Sequence, residues 1–196
     1  VGNLEQPVMR TIALGNQKGG VGKTTSTINL GACLAEQGRK VLLVDLDPQG
    51  ALSAGLGVSY EDDQVTVYDL LFDNTASIHA AIHTTNVSGL DVVPANIDLS
   101  AAEIQLVNEV AREQVLERAL RQVRDDYDVI LIDCQPSLGL LTVNALTASH
   151  GVIIPLTAEF FALRAVALLV ETIEKVQDRL NPDLEIDGVL ATMFDQ

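Results

Sequence analysis

The residues with the clearest capacity for chemistry form the string KGGVGKTT at 18–25. An apolar run, TIALG at 11–15, precedes it and a helical pattern follows it, so the string is predicted to join a strand to a helix. Glycines bring backbone N–H groups close to phosphate oxygens, and the following helix adds its positive N-terminal end. We therefore predict a phosphate-binding loop with contacts from Gly19, Gly20, Val21, Gly22, Lys23, Thr24 and Thr25.

The lysine and the threonine that end this loop have separate predicted roles. Lys23 is expected to reach the β- and γ-phosphates of a nucleotide, and the Thr24 hydroxyl is expected to ligate Mg²⁺. The common pattern GxxxxGK[ST] is not met, because Gln17 stands where its first glycine would fall and Lys18 heads the loop. The alternative is a glycine-rich turn that binds nothing, which the flanking strand and helix disfavour.

Acidic side chains stand at the ends of two apolar runs, where a doubly wound sheet places its ligands. Asp133 ends the run VILID, and Asp45 and Asp47 lie near the end of KVLLVDLD at 40–47. A phosphate loop requires such carboxylates for Mg²⁺ and for the attacking water. The alternative for each is an ordinary solvated carboxylate at the end of a strand.

The string KGGVGKTT resembles the deviant Walker A motif of the ParA/MinD superfamily, which also contains the nitrogenase iron protein. The resemblance extends over almost the whole chain. Four further segments resemble the ParA/Soj branch, which partitions chromosomes and plasmids: VLLVDLDPQG (41–50), VPANIDLSAAEIQLV (93–107), YDVILIDCQPSLGLLTVNAL (127–146) and RLNPDLEIDGVL (179–190).

This resemblance implies an ATPase that binds ATP and Mg²⁺ and forms a homodimer when ATP is bound. It implies that Lys18 crosses the dimer interface to the partner's nucleotide and that Asp47, at the switch I position, orients the attacking water. Asp133 corresponds to the Walker B aspartate, which holds Mg²⁺ directly or through a water, and Asp45 would support the Mg²⁺ shell. The resemblance further implies a ParB-type activating protein and non-specific DNA binding through basic residues beyond Gln196.

The loop after Asp133 departs from the family pattern. Pro136 corresponds to the switch II loop, where a γ-phosphate could be sensed. The family usually has two prolines there, and this chain has Gln135 in place of the first. The departure affects the expected stiffness of the loop rather than the chemistry.

Strands and helices alternate along the chain, which predicts an α/β fold of the P-loop NTPase type: a doubly wound, mostly parallel sheet with helices on both faces. SAAE at 100–103 is interpreted as a capping box that opens a long helix to about Arg124. Residues 1–10 are predicted to be a tail and 11–196 one domain, which we expect to lack its C-terminal part because it ends on an uncovered strand. The predicted strands are 11–15, 40–47, 90–94, 127–133, 151–156 and 184–194, and the other predicted helices are 24–37, 68–72, 78–82, 138–149 and 159–180.

The charge of the chain limits its partners. The 196 residues include 12 Lys and Arg against 27 Asp and Glu, a net charge of −15. Such a charge repels nucleic acids and acidic membranes unless basic residues cluster, and Arg118, Arg121 and Arg124 are interleaved with acidic residues. No apolar run of transmembrane length and no signal peptide is found, so we expect a bacterial cytoplasmic protein without a membrane partner, associated with the nucleoid if DNA binding is retained.

Two other functions within the same superfamily compete with that of a partitioning ATPase. A cell-division positioning ATPase, MinD-like or ParA-like, is the alternative, and the MinD-like form needs an amphipathic membrane helix. An iron–sulfur protein is rejected because Cys33 and Cys134 do not occupy that family's ligand positions, and both are expected to be small buried core residues. His79 and His83 are spaced to share a helical face, but without a third ligand they are interpreted as surface histidines.

Overall fold

The computed structural model describes residues 9–58, 64–73, 75–158 and 162–193. The start of the helix predicted from Glu159 and the end of the strand predicted to 194 lie outside these residues. The strands are β1 (Arg10–Leu14), β2 (Val41–Leu46), β3 (His83–Thr84), β4 (Leu90–Val93), β5 (Val129–Cys134), β6 (Gly151–Thr157) and β7 (Glu185–Thr192). The helices are α1 (Lys23–Glu36), α2 (Ala51–Gly55), α3 (Val67–Phe72), α4 (Ile78–Ala81), α5 (Leu99–Gln105), α6 (Val115–Leu120), α7 (Leu140–Thr147) and α8 (Ala162–Arg179).

The strands form one sheet in the order β3-β4-β2-β5-β1-β6-β7. The pairs are parallel except at one edge, where the short β3 runs antiparallel to β4. In the register of the central strands, Asp133 of β5 lies opposite both Leu14 of β1 and Asp45 of β2. The carboxyl ends of β1, β2 and β5 therefore meet at one edge, which brings the phosphate loop and the aspartates together.

Both faces of the sheet are covered by helices, as predicted. Every residue of β2 is buried, and its side chains alternate between two apolar clusters. Leu42 and Val44 pack on the face that also buries parts of α3, α5, α6, α7 and α8. Val41 and Leu43 pack on the opposite face with residues of α1 and α2. A continuous apolar strand is what burial on both faces of a parallel sheet requires.

The prediction of one long helix from the capping box to about Arg124 is wrong. α5 ends at Gln105, and short 3₁₀ turns at Leu106–Asn108 and Arg112–Gln114 separate it from α6. Ala111 adopts a left-handed conformation with φ of 53°, which an α-helix does not allow. The Glu103 side chain does not cap its own helix, because it bonds to the start of α7 instead. A tertiary contact therefore overrides the local capping signal.

The cysteines and histidines need a second correction. Cys134 is buried as predicted, but Cys33 is exposed, because it lies on the outer side of α1. His79 and His83 do not share a helical face, because α4 ends at Ala81 and His83 begins β3. His79 is exposed and His83 is half-buried. No described helix is long and apolar enough to cross a membrane.

Candidate nucleotide site

The loop between β1 and α1 is shaped by glycines in left-handed conformations. Gly20 has φ of 71°, and Gly22, which directly precedes α1, has φ of 81°. Residues with a Cβ are strained in this region, so these two positions favour glycine. The loop turns here and leads into the N-terminal end of α1, which is the arrangement that places backbone N–H groups around an anion.

Two side chains that sequence reasoning missed hold this loop in place. The amide of Asn16, which is only 2% exposed, accepts a hydrogen bond from the Lys18 N–H (2.9 Å) and donates one to the carbonyl of Pro155 (2.7 Å). The Thr192 hydroxyl donates to the carbonyl of Val21 (2.8 Å). Asn16 could have been suspected as a polar residue at the end of a buried strand, whereas the sequence contains no signal for Thr192.

Lys23 lies beneath the loop rather than in solvent. It is 7% exposed, and its Nζ donates a hydrogen bond to the carbonyl of Lys18 (3.2 Å). Burial lowers the pKa of Lys23, although the nearby charges of Asp133, Cys134 and Asp47 act in the opposite direction. A phosphate group in the loop would supply the negative charge that offsets this desolvation.

Thr24 and Asp133 form a pair of oxygen ligands at the start of α1. The Thr24 hydroxyl donates a hydrogen bond of 2.6 Å to Oδ2 of Asp133, and the Thr27 hydroxyl lies 3.4 Å from Oδ1. Asp133 is 1% exposed, and burial raises its pKa to about 7. The negative charges of Asp45 and Asp47 also raise this pKa, whereas the hydrogen bond from Thr24 and the positive charge of Lys23 lower it. A bound cation would favour the charged form.

This pair fits Mg²⁺ by the chemistry of its donors. Hydroxyl and carboxylate oxygens are the ligands that Mg²⁺ prefers, and it usually takes only one or two protein carboxylates together with substrate phosphates and water. Among the described residues no three acidic, imidazole or thiol groups are placed to hold a metal by themselves. Thr24 and Asp133 would therefore hold the ion jointly with a nucleotide.

Asp45 and Asp47 occupy different environments. Asp45 is fully buried; its Oδ2 accepts bonds from the N–H (3.0 Å) and hydroxyl (2.7 Å) of Ser53, and its Oδ1 accepts one from the Asp47 N–H (3.2 Å). Burial raises the pKa of Asp45. These contacts connect α2 to the segment carrying Asp47, and support of Mg²⁺ by Asp45 stays a prediction. Asp47 is half-exposed, and its Oδ1 accepts a bond from the Gln49 N–H (3.0 Å).

A cavity of about 260 Å³ opens above these groups. It brings together most of the predicted loop residues with Asp47 and Pro136, whereas Val21 is buried and its carbonyl bonds to Thr192. Asp133 and Asp45 lie beneath the cavity, and Lys18 is half-buried at the head of the loop. Met193, which sequence reasoning missed, also contributes to the wall. The lining residues are Gly19, Gly20, Gly22, Lys23, Thr24, Thr25, Asp47, Pro136 and Met193.

A larger cavity, of about 390 Å³, lies at the opposite edge of the sheet near His150, which precedes β6. The two arginines that line this cavity are already ion-paired and are therefore less able to bind an anion. Arg121 and Arg124 both bond to Glu117, at 2.8 and 3.0 Å. This cavity therefore lacks the donor set of the phosphate loop, and the site at the carboxyl ends of the central strands is the stronger candidate.

Comparison with known proteins agrees with this geometry. A family model described as an AAA domain matches residues 9–186. The sporulation initiation inhibitor protein Soj of Bacillus subtilis is 54% identical over 186 residues, which cover 95% of this chain and 73% of Soj. The chain belongs to the ParA family. An uncharacterised protein of Mycobacterium tuberculosis is 62% identical over 186 residues, and this ParA-family chain spans 58% of its length.

Solved structures share the fold over nearly the whole ParA-family chain. Cobyrinic acid a,c-diamide synthase from Mycobacterium smegmatis, solved with an ATP analogue and magnesium, superposes with a TM-score of 0.92 at 48% identity, covering 96% of this chain and 77% of that one. A plasmid partition protein from Borrelia burgdorferi superposes with a TM-score of 0.82 at 30% identity, covering 96% of this chain and 80% of the other. The fold class predicted from the sequence is thereby confirmed.

Proposed function

We propose that this chain carries the nucleotide site of a ParA-type partitioning ATPase, an ATP-dependent dimerisation switch that hydrolysis resets. The observation that carries the proposal is the group formed by Lys23, Thr24 and Asp133 beneath a loop with two left-handed glycines. A buried ammonium, a hydroxyl–carboxylate pair and the backbone N–H groups of a glycine-rich loop are the set that a magnesium nucleotide requires.

Each residue has a distinct task in this proposal. Lys23 and the N–H groups of the loop bind phosphate oxygens, and Thr24 and Asp133 hold Mg²⁺. When bound, Mg²⁺ neutralises charge that develops on the phosphate oxygens during transfer. Asp47, which faces the cavity, orients the attacking water. Lys18 acts on the nucleotide of the second subunit, so that hydrolysis depends on dimerisation.

The proposed biological role follows the relatives rather than the site alone. The similarity to Soj and to a plasmid partition protein supports a role in chromosome or plasmid partitioning. We include in this proposal a ParB-type activating protein, a cytoplasmic location and non-specific DNA binding. The net charge of −15 is unfavourable for DNA, and the arginines of α6 and the following turn are paired with Glu117, so DNA contacts are assigned to residues outside this sequence.

A second candidate function comes from the cobyrinic acid a,c-diamide synthase, which was solved with an ATP analogue and magnesium and has the same fold. The two functions differ in what ATP consumption requires. A partitioning ATPase transfers the phosphate of ATP to water and needs no other substrate, whereas a synthase of that type acts on cobyrinic acid. Phosphate release should therefore be measured with and without cobyrinic acid and ammonia as the nitrogen donor, and release that occurs only in their presence would contradict the partitioning function.

The nucleotide site is tested by Lys23→Ala. Loss of the buried ammonium should weaken binding of ATP with Mg²⁺ by about 10- to 100-fold, since bonds between charged groups contribute about 1.5–3 kcal/mol. Isothermal titration calorimetry measures the affinity, and a thermal melt shows that the variant folds. Lys40→Ala is the matched control, because Lys40 is exposed and remote from the loop. Unchanged ATP affinity in Lys23→Ala would show that the phosphate site is assigned wrongly.

A further inference from the structure

Glu103, within α5, directs its side chain into the loop between β5 and α7. Its Oε2 accepts a hydrogen bond from the Leu140 N–H (2.7 Å), and its Oε1 accepts bonds from the Leu141 N–H (3.3 Å) and from the side-chain amide of Gln135 (2.8 Å). Three donors from a distant part of the chain therefore converge on one half-buried carboxylate.

This carboxylate supplies the cap that α7 lacks in its own sequence. Gly139, which precedes α7, has an extended conformation and no side chain to bond the first-turn N–H groups. A negatively charged acceptor satisfies such N–H groups and interacts favourably with the helix dipole. A Cβ at Gly139 would overlap both carboxylate oxygens of Glu103, so the contact also explains the glycine.

The segment held by Glu103 forms a wall of the nucleotide site. Residues 135–139 begin directly after β5, two positions beyond Asp133, and Pro136 lines the cavity. The Cβ of Pro136 lies 4.0 Å from the position that a Cβ on Gly19 would occupy, so the two loops are close neighbours. The segment is thus fixed by the β5 ladder at one end and by the Glu103 carboxylate at the other.

We propose that Glu103 is a positioning residue, which holds Pro136 and the 135–139 segment against the phosphate loop in the geometry needed for ATP hydrolysis. The Gln135 amide is its second attachment, and a proline at that position could not provide it because proline has no side-chain donor. This inference rests on the proposed ATPase function. It assigns a role in that function to a carboxylate that does not line the cavity.

The kinetic test uses Glu103→Gln, Gln135→Leu and their combination. A glutamine at 103 keeps the shape of the side chain but loses the negative charge. Its NH₂ group replaces one carboxylate oxygen and cannot accept a hydrogen bond from the N–H groups that face it. We expect kcat to fall about tenfold in Glu103→Gln, which corresponds to about 1.4 kcal/mol, and about threefold in Gln135→Leu. The KM for ATP should stay within about twofold in both variants, because neither Glu103 nor Gln135 lines the cavity. The double variant should lose no more than Glu103→Gln alone, since the two residues act through one contact.

A control and a second measurement separate positioning from simple stabilisation. Glu109→Gln, at an exposed residue shortly after α5, should leave kcat unchanged. Hydrogen–deuterium exchange of the nucleotide-free protein should show faster exchange at the Leu140 and Leu141 amides in Glu103→Gln. This measurement reports the contact whether or not ATP is hydrolysed.

The outcomes distinguish this proposal from the one on which it rests. A wild-type protein that releases no phosphate from ATP overturns the proposed function itself. An active wild type together with a Glu103→Gln variant that keeps its rate, or that keeps slow exchange at Leu140 and Leu141, overturns only the role of Glu103. Equal loss of kcat and of ATP binding in Glu103→Gln would also overturn it, because that pattern indicates a merely structural contact.

Discussion

At the scale of single residues, the site consists of ionisable groups withdrawn from water. Lys23, Asp45 and Asp133 are all buried, and burial shifts the pKa of each toward the neutral form, downward for the lysine and upward for the two aspartates. Such an arrangement is costly unless charges of opposite sign complete it. Perturbed groups that converge at strand ends are typical of functional sites.

Asp47 differs from these groups because it is half-exposed and faces the cavity. Asp47→Asn keeps an oxygen that can accept the bond from the Gln49 N–H, so the loop should remain in place. If Asp47 acts on the attacking water, this change should slow hydrolysis by about 10²- to 10⁴-fold and leave ATP affinity within about threefold. Single-turnover phosphate release and calorimetry measure the two quantities.

The matched control for this prediction is Asp126→Asn, at an exposed aspartate far from the cavity, which should hydrolyse ATP at the wild-type rate. Asp47→Asn with ATP should also accumulate as a dimer in size-exclusion chromatography, because the step that dissolves the dimer is blocked. A normal hydrolysis rate in Asp47→Asn would remove Asp47 from the mechanism.

The proposed role of Lys18 can be distinguished from that of Asp47, since loss of Lys18 should reduce dimerisation as well as hydrolysis.

At the scale of elements, the junction between α7 and β6 depends on a neutral histidine. Nδ1 of His150 accepts a hydrogen bond from the Thr11 N–H (3.0 Å), which connects the start of β6 to β1. Burial lowers the pKa of His150, and the charges of Arg124 and Arg10 lower it further, whereas the charge of Asp183 acts in the opposite direction. A protonated Nδ1 could not accept this bond.

His150 should therefore make the free energy of unfolding decrease as the pH falls, whereas Asp133, whose pKa is raised to about 7, acts in the opposite direction over the same range. The folded pKa lies below the unfolded value of about 6.5, so the unfolded chain binds the proton first. The contribution of His150 is present above about pH 6.5 and is lost as the pH falls below it, by at most about 1.4 kcal/mol per pH unit. Urea unfolding at several pH values between about 7.5 and 5.5 measures this loss.

Two substitutions make this pH test specific. His150→Asn keeps an acceptor near the Thr11 N–H but does not titrate, so its stability should fall less than that of the wild type over the same range. His79→Asn replaces an exposed histidine of α4 and should behave as the wild type does. Identical pH dependence in the wild type and His150→Asn would mean that His150 is not held neutral by this junction.

At the scale of the whole molecule, the sheet places the site at the ends of its central strands and leaves one side of the phosphate loop open. Gly19 and Gly20 are exposed, and both line the cavity. Among the described residues of one chain, a Cβ on Gly19 would meet only the Cβ of Pro136, at 4.0 Å. A larger side chain at Gly19 is therefore tolerated by the monomer, and its effect should depend on what approaches the loop from outside.

Gly19→Val tests whether a second subunit approaches there. The valine should leave ATP affinity within about threefold and abolish ATP-dependent dimerisation, because a close approach of two backbones leaves no room for it. Light scattering should compare Asp47→Asn with the Gly19→Val/Asp47→Asn double variant, so that hydrolysis does not dissolve the dimer.

Gly188→Val is the control for this substitution, because the residue lies on β7 and a Cβ there would meet none of the described residues within 4 Å. It should dimerise as the parent does. A stable dimer of the Gly19→Val double variant would contradict the proposed arrangement of two subunits across their nucleotides.

The sequence by itself predicted the glycine-rich loop between β1 and α1 and the alternation of strands and helices along the chain. These features depend on signals between near neighbours: the glycines of 19–22, continuous apolar strands such as β2, and an aspartate at the end of β5. A strand buried on both faces must be apolar throughout, and a turn around phosphate must contain glycine, so local patterns were sufficient. The short antiparallel β3 carried no such pattern and was missed.

Only the tertiary structure decided which side chains support the site. Glu103 looked like the cap of its own helix, yet it bonds to Leu140, which is 37 residues away, and the Thr192 hydroxyl bonds to Val21 across 171 residues. Support of the Mg²⁺ shell by Asp45 stays a prediction, and only the structure shows that its oxygens also bond to Ser53 and Asp47. A polar side chain buried by folding bonds to whichever donor or acceptor packing brings within reach, and sequence neighbours do not determine that choice.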